Sequence, residues 1–449
     1  MKKFLASAWL LLTVVSAVPA QNAPAGALTL TLAEAVELAL SDNPTVEIAE
    51  MEIARYDYVK RQTWGNLLPQ ADITGQYAHT FIKQNMTKGF EMGAKQYDNL
   101  QTQLSLTLPL FAPQVYRTLK LNRTQMEAAV ETARATRIDL VAEVKRAFYN
   151  ILLAEQSLAV LRESERTVKQ TVDETELKFR NGLVAEYDLL TVQVQLSNLQ
   201  PSILQTENSI ETAKLLLKMY LSLPEELEVE VAGTLDEHRD AVFNGTDNLT
   251  LDIDDNSSLR QLDLQREQLR GQLKVSNASR LPTLAAFGNF TLYGTNMGSI
   301  DWEAMMGGSA ASLDRSWYWQ NPLLGGIQLS VPLFAGLTRS NQSRSIRNQI
   351  SQLDVQRDYL RRSLGVEVRN AVNTLLTARE QMFSQEVAVR QAEKAYSISQ
   401  TRYGAGAGTM LELNTAQLTL TQARLNFSQA IYDYLSAKAD YDRLVGREE

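Results

Sequence analysis

The 449-residue chain has no cysteine and only two histidines, His79 and His238. Without thiols there is no disulfide framework, no cysteine nucleophile and no point for lipid attachment, so packing alone must hold the fold. One histidine falls in an extended segment and the other in an acidic stretch, which argues against a His-centred acid–base or zinc site. The GxSxG, HExxH and P-loop signatures are absent as well, so neither an enzyme nor a cofactor is expected. Basic residues are outnumbered, 44 against 52 acidic, for a net charge of −8, which argues against nucleic acid as a partner. Beyond the first twenty residues no stretch approaches about 18 consecutive apolar residues, so no transmembrane helix is expected there. Any contact with a membrane must then use β-strands or a surface. Proline and glycine are also missing from Gln114 to Arg180, and from Thr338 to Tyr403 only Gly365 interrupts.

The N-terminus reads as a secretory signal over residues 1–20. Lys2 and Lys3 carry the charge, Phe4 to Val15 is mostly apolar, and Val18-Pro19-Ala20 suits cleavage before Gln21. Losing Lys2 and Lys3 makes the exported chain more acidic still. The rest of the sequence is internally duplicated. LTLPLFAP (Leu106 to Pro113) returns as LSVPLFAG (Leu329 to Gly336), and VAEVKRAFYNIL (Val141 to Leu152) as GVEVRNAVNTLL (Gly365 to Leu376). KFRNG (Lys178 to Gly182) faces RYGAG (Arg402 to Gly406) at a shift of 224 residues. A period this long is no short-repeat solenoid. It divides the mature chain into a first repeat at 21–224, an acidic linker or peripheral subdomain at 225–255, and a second repeat at 256–449.

Each repeat predicts the same order: a helix, an extended region, a long helix and a returning helix. Thr31 with Glu34 forms a capping box for the first helix, and Asn43-Pro44 restarts a second that ends before Pro69. Its counterpart starts at Asn256 and ends before Pro282. Leu100, Leu104, Leu106 and Leu108 alternate with Gln101, Gln103, Ser105 and Thr107, and Ile327, Leu329 and Val331 alternate with Gln328 and Ser330. Ile73, Tyr77 and Phe81 give a weaker version, as does Thr283 to Gly294. Such segments fit half-buried hairpins or membrane strands. The uncharged polar face, and Trp317, Tyr318 and Trp319 beside one strand, favour the membrane. The long proline-free helices would each run about 100 Å at 1.5 Å per residue, a length for a coiled coil or helical tube. Their seams match: Leu140, Val144, Ala147 and Ile151 in one, Leu364, Val368, Ala371 and Leu375 in the other. The returning helices share a seam too, with Pro201 expected to kink the first.

Among residues that carry chemistry, Gly404 to Gly408 reads as a tight turn rather than an anion nest, because Gly182 occupies the equivalent place. Met86, Met92, Met297, Met305 and Met306 read as loop packing rather than Cu(I) ligands. Asp188 and Glu412 each lie six residues after the glycine of a turn, Gly182 or Gly406. They fit two roles: helix capping with dipole compensation, Thr409–Glu412 being a capping box, or charges on a functional surface.

LTLAEAVELALSDNP at the mature N-terminus, the two PLFA segments after extended runs, and the Phe/Tyr-x-x-Gly turns resemble the outer-membrane efflux protein family, the TolC-like exit ducts. The resemblance spans both repeats. It implies a mainly α chain with membrane β: a homotrimer whose long coiled helices form a periplasmic α-barrel, topped by a twelve-stranded β-barrel with four strands per chain. The sequence agrees on one point independently, since four strands cannot close a barrel and an open edge in lipid is forbidden. The resemblance also implies a gate at the helical tips, with Asp188 and Tyr403 as partners and Glu412 as the constriction acid. The tip turns at Gly182, Leu183 and Gly406 would meet a periplasmic adaptor protein, which joins the duct to an inner-membrane transporter. Two positions depart from the pattern: Gly408 stands where an arginine of the gate is expected and Thr415 where a second acid is. The closed state would then be held more weakly, or by other groups. The expected function is the exit duct of a tripartite efflux system in outer-membrane lipid. The alternatives are the exit duct of a type I polypeptide secretion system and a periplasmic coiled-coil scaffold without a pore.

Overall fold

The computed structural model describes residues 28–81, 98–238, 249, 251–296 and 317–447. The expected leader and the five loop methionines lie outside them. The elements follow in order: β1 (Leu28–Leu30), α1 (Leu32–Asp42), α2 (Pro44–Gly65), β2 (Gln70–His79), β3 (Asp98–Phe111), α3 (Pro113–Arg180) and α4 (Glu186–Leu221). Then come β4 (Val229–Val231), α5 (Ser257–Ala278), β5 (Thr283–Asn296), β6 (Trp317–Gln320), β7 (Leu323–Ser330), α6 (Thr338–Gly404) and α7 (Met410–Val445). The duplication is visible in the lengths. Helices α3 and α6 have 68 and 67 residues, α4 and α7 have 36 each, and α2 and α5 have 22 each.

Local chemistry sets the helix starts. The Thr31 amide donates to Glu34 Oε2 at 2.8 Å while the Glu34 amide donates to Thr31 Oγ1 at 3.3 Å, a closed capping box. Asn43 accepts from the Thr45 amide at 2.8 Å with Pro44 following, and Asn256 accepts from the amides of Ser258 and Leu259. Helix α4 continues through Pro201 from Glu186 to Leu221.

The backbone forms two compact units, and each draws on both repeats. The described residues of one lie within Met1–Ala39, Ala147–Phe243 and Val387–Tyr432; those of the other lie within Leu40–Arg146, Asn244–Glu386 and Asp433–Glu449. In the first unit Leu161 and Val168 of α3 pack against Leu199 and Ile203 of α4, with Leu425 of α7 alongside. Strands β1 and β4 pair in parallel, Leu28 with Val229 through Leu30 with Val231. Strand β4 lies in the acidic stretch read as a linker or peripheral subdomain. In the second unit Leu259 of α5, Leu364 and Val368 of α6, and Tyr441, Leu444 and Val445 of α7 form one core with Ile253. The end of α7 is tied down there: Asn256 donates to Leu444 O and Arg134 to Gly446 O, both at 2.8 Å.

The second unit also holds the sheet. Strand β2 pairs antiparallel with β3, β3 with β5, and β5 with both β6 and β7. The β6 and β7 registers are the same, Tyr293 opposite Gln320 and Phe290 opposite Leu323, and the Thr291 amide donates to Pro322 O between them. They are therefore one strand position, broken where Pro322 lacks an N–H. Among the described residues four strand positions result, with β2 and β7 at open edges. The register places Ile73, Leu104, Phe290 and Leu323 in one row, and Asp72, Ser105, Asn289 and Leu324 in the next, on the opposite face. Trp319 lies against the glycine at 294, where a Cβ would come within 2.8 Å of the ring, and stacks on Trp317 at 5.8 Å.

Candidate functional site: the helix tips

The turn after α3 and the turn after α6 have the same construction. At the first, the Gly182 amide donates to Phe179 O and the Leu183 amide to Lys178 O, both at 2.8 Å. At the second, the Gly406 amide donates to Tyr403 O at 3.1 Å and the Ala407 amide to Arg402 O at 2.8 Å. Both are Schellman closures, and both need the left-handed residue that glycine supplies: φ is +72° at Gly182 and at Gly406. Leu183 stands out from its turn, exposed to solvent. The run Gly404 to Gly408 is thus a helix-ending turn, as its sequence implied.

Helices α4 and α7 start just past these turns, and their acids sit differently. Helix α4 is preceded by Ala185, which makes no side-chain cap, and Asp188 lies half-buried in its first turn. Glu412 is exposed and belongs to a capping box: its amide donates to Thr409 Oγ1 at 3.2 Å and its carboxylate accepts from the Thr409 amide at 3.4 Å. Glu412 also lies 3.6 Å from the Arg402 guanidinium, which donates to Ala407 O at 3.1 Å. Arg402 thus places a cation within its own turn, next to Glu412. At Gly408 itself a Cβ would sit 3.1 Å from the Tyr403 amide nitrogen and 3.2 Å from Arg402 Cβ. Close approach of the backbone explains the glycine. Thr415 turns its hydroxyl back onto Leu411 O at 2.8 Å, satisfied within its own helix.

Tyr403 joins the two repeats. It packs against a core of Val192 of α4 with Met410 and Leu413 of α7, and Val172 of α3 and Tyr396 of α6 pack against the same core. The Lys178 ammonium of α3 lies over that ring, 4.3 Å from its centroid. Burial, with Asp188 and Glu174 nearby, holds the phenol above its ordinary pKa, so it is neutral at physiological pH. The hydroxyl is buried and completes no hydrogen bond of good geometry. Thr175 lies beside it, already donating its own hydrogen to Thr171 O at 2.7 Å. Asp188 and Tyr403 thus share one site, coupled through charge, with no hydrogen bond between them. Lys178 and Arg402 were missed from sequence because a basic residue in a last helical turn reads as dipole compensation. Their equivalence, each one residue before Phe179 or Tyr403, was the signal available.

Deeper along the same unit the helix contacts turn polar. Gln417 and Thr421 of α7 donate to Ser164 of α3 at 3.4 and 3.0 Å, and Arg424 bridges Glu163 and Glu393. Buried Asn414 leaves both amide atoms without partners.

A model of the family described as outer membrane efflux protein matches residues 35–222 and 251–447. The chain belongs to that family. Its matched segments leave out part of the acidic stretch between the repeats. The chain is similar to Outer membrane protein TolC of Vibrio cholerae, 23% identical over 441 residues that cover 97% of this chain and 92% of the relative. It is also similar to the alkaline protease secretion protein AprF of Pseudomonas aeruginosa, 24% identical, covering 92% of this chain and 84% of that one. Among solved structures the outer membrane protein VceC of Vibrio cholerae shares the fold. The TM-score is 0.72 at 15% identity, covering 93% of this chain and 96% of that one. Family members are outer-membrane channels, so this chain is a channel of the outer membrane with a periplasmic helical tunnel, and not an enzyme. The poreless scaffold is thereby set aside.

Proposed function

We propose that the protein is a homotrimeric exit duct of a tripartite efflux system, opened at its helical tips when a periplasmic adaptor and an inner-membrane transporter engage. The observation that carries this reading is the four-position sheet, with edges at β2 and β7 that no described strand pairs, one face mainly apolar and the other richer in amides and hydroxyls. In lipid those edges must be paired, and three copies of four strands close a barrel wide enough for a polar lumen. The helices support the same assembly. Tyr187, Leu190, Val194, Leu204 and Leu215 keep heptad spacing along α4 yet remain exposed, as do Val355, Tyr359, Val366 and Val387 along α6. Stripes of that spacing are buried by neighbouring helices in a coiled assembly. A second reading, an exit duct for secreted polypeptides, is favoured by the name of the Pseudomonas relative, and it differs only in the partner and the cargo.

At the tips, Gly182, Leu183 and Gly406 form the surface offered to the adaptor, while Asp188, Tyr403 and Glu412 form the gate and constriction. Three exposed Glu412 carboxylates around one narrow axis would favour cations. Purified protein in planar bilayers is expected to give discrete, cation-selective conductance steps, with selectivity reduced by Glu412→Gln. Glutamine retains the capping geometry, so an unchanged selectivity would return Glu412 to a purely structural role.

A further inference from the structure

The tip shows which part of Tyr403 does the holding. Its equivalent in the first repeat, Phe179, has no hydroxyl, so an aromatic ring is what the two turns have in common. The Tyr403 hydroxyl is buried without a completed hydrogen bond, whereas the ring has a cation 4.3 Å from its centroid. That cation comes from the other repeat. Lys178 sits in the last turn of α3, half-buried, and Tyr403 in the last turn of α6. Asp188 at the start of α4 adds its charge to the same site. The other basic residue of equivalent position, Arg402, is taken up by its own turn and by Glu412, so it links nothing across the repeats.

We infer that Lys178 is a gate-positioning residue: its ammonium clamps the face of the Tyr403 ring and so ties the α3–α4 tip to the α6–α7 tip in the closed state. This rests on the reading of the tips as the gate. The face of an aromatic ring attracts a cation through its quadrupole, and that attraction needs no hydroxyl. Half-burial keeps water from fully screening the pair, while the neighbouring Val192, Met410 and Leu413 fix the ring where the ammonium meets it. Such a contact is weak enough to part when a partner pulls the tips aside, which a buried ion pair would resist.

Planar-bilayer recordings of the purified full-length protein test it with four variants, Lys178→Met, Lys178→Arg, Tyr403→Phe and Tyr403→Leu. Each is first checked for the same oligomeric state as the parent protein. Methionine keeps the unbranched stem without the charge, and phenylalanine keeps the ring without the hydroxyl. The clamp predicts that Tyr403→Phe and Lys178→Arg record like the parent. It predicts a several-fold rise in time spent at high conductance for Lys178→Met and Tyr403→Leu, with no further rise in their double variant. If Tyr403→Phe opens the channel as far as Tyr403→Leu, the hydroxyl holds the gate and the clamp is wrong. If Tyr403→Leu opens it and Lys178→Met does not, the ring acts by packing alone and the clamp is again wrong. If neither opens it, the tips are not the gate, which overturns the proposed function of this site along with the clamp.

Discussion

Asn414 lies on α7 one turn beyond the tip, 6% exposed, with both atoms of its amide lacking hydrogen-bond partners. Gln417, one turn further, is satisfied by Ser164 O. A buried polar group left unpaired costs about 1–3 kcal/mol, so Asn414→Leu is expected to raise the unfolding temperature of the assembled protein. A lowered unfolding temperature would mean that the amide is satisfied after all. Single residues were unevenly legible in the sequence. Asp188 and Glu412 stood out because both follow a glycine turn at the same offset, and the capping box of Glu412 is present as its spacing required. Asn414 gave no signal, because an asparagine on a helix face reads as solvated until the neighbouring helix is known. The same limit hid Lys178, whose partner lies 225 positions away in the chain.

Helices were the most legible elements. Their seams, read from heptad spacing, are buried in both repeats: Val144 and Ile151 are fully enclosed in α3, and Val368 and Leu375 nearly so in α6. The match is not complete, since α3 from Ile138 to Leu152 is buried on more than one face whereas α6 is buried mainly along its seam. Long helices of this kind are stabilised by packing more than by propensity. Replacing Ile151 or Leu375 with Asp puts an unpaired carboxylate into that packing at a cost of several kcal/mol. Each variant is expected to lose assembly, scored as oligomer recovered from the outer-membrane fraction, and normal yield from both would show the seam to be misplaced. Strands were less legible. Three-residue β1 and β4 are too short for any alternation to register, and their parallel pairing joins segments about two hundred residues apart in sequence. The aromatic run Trp317 to Trp319, read as flanking a strand, is part of one, because Pro322 interrupts the pattern without ending the register.

At the scale of the molecule, duplication gives each chain, among its described residues, two helical hairpins and four strand positions, which is less than a closed structure on either side. Exposed heptad stripes on α4 and α6 and the unpaired edges of β2 and β7 are one problem in two solvents. Water penalises the first through apolar area, and lipid penalises the second through unmade backbone hydrogen bonds. Association of copies resolves both together, and three is the number for which four strands each make a twelve-stranded barrel. The most direct test is the mass of the detergent-solubilised complex purified from the outer membrane, measured by light scattering with the detergent contribution subtracted. Three chains per complex are expected; a single chain, or any other number, would show that the strands close a barrel in another way or not at all.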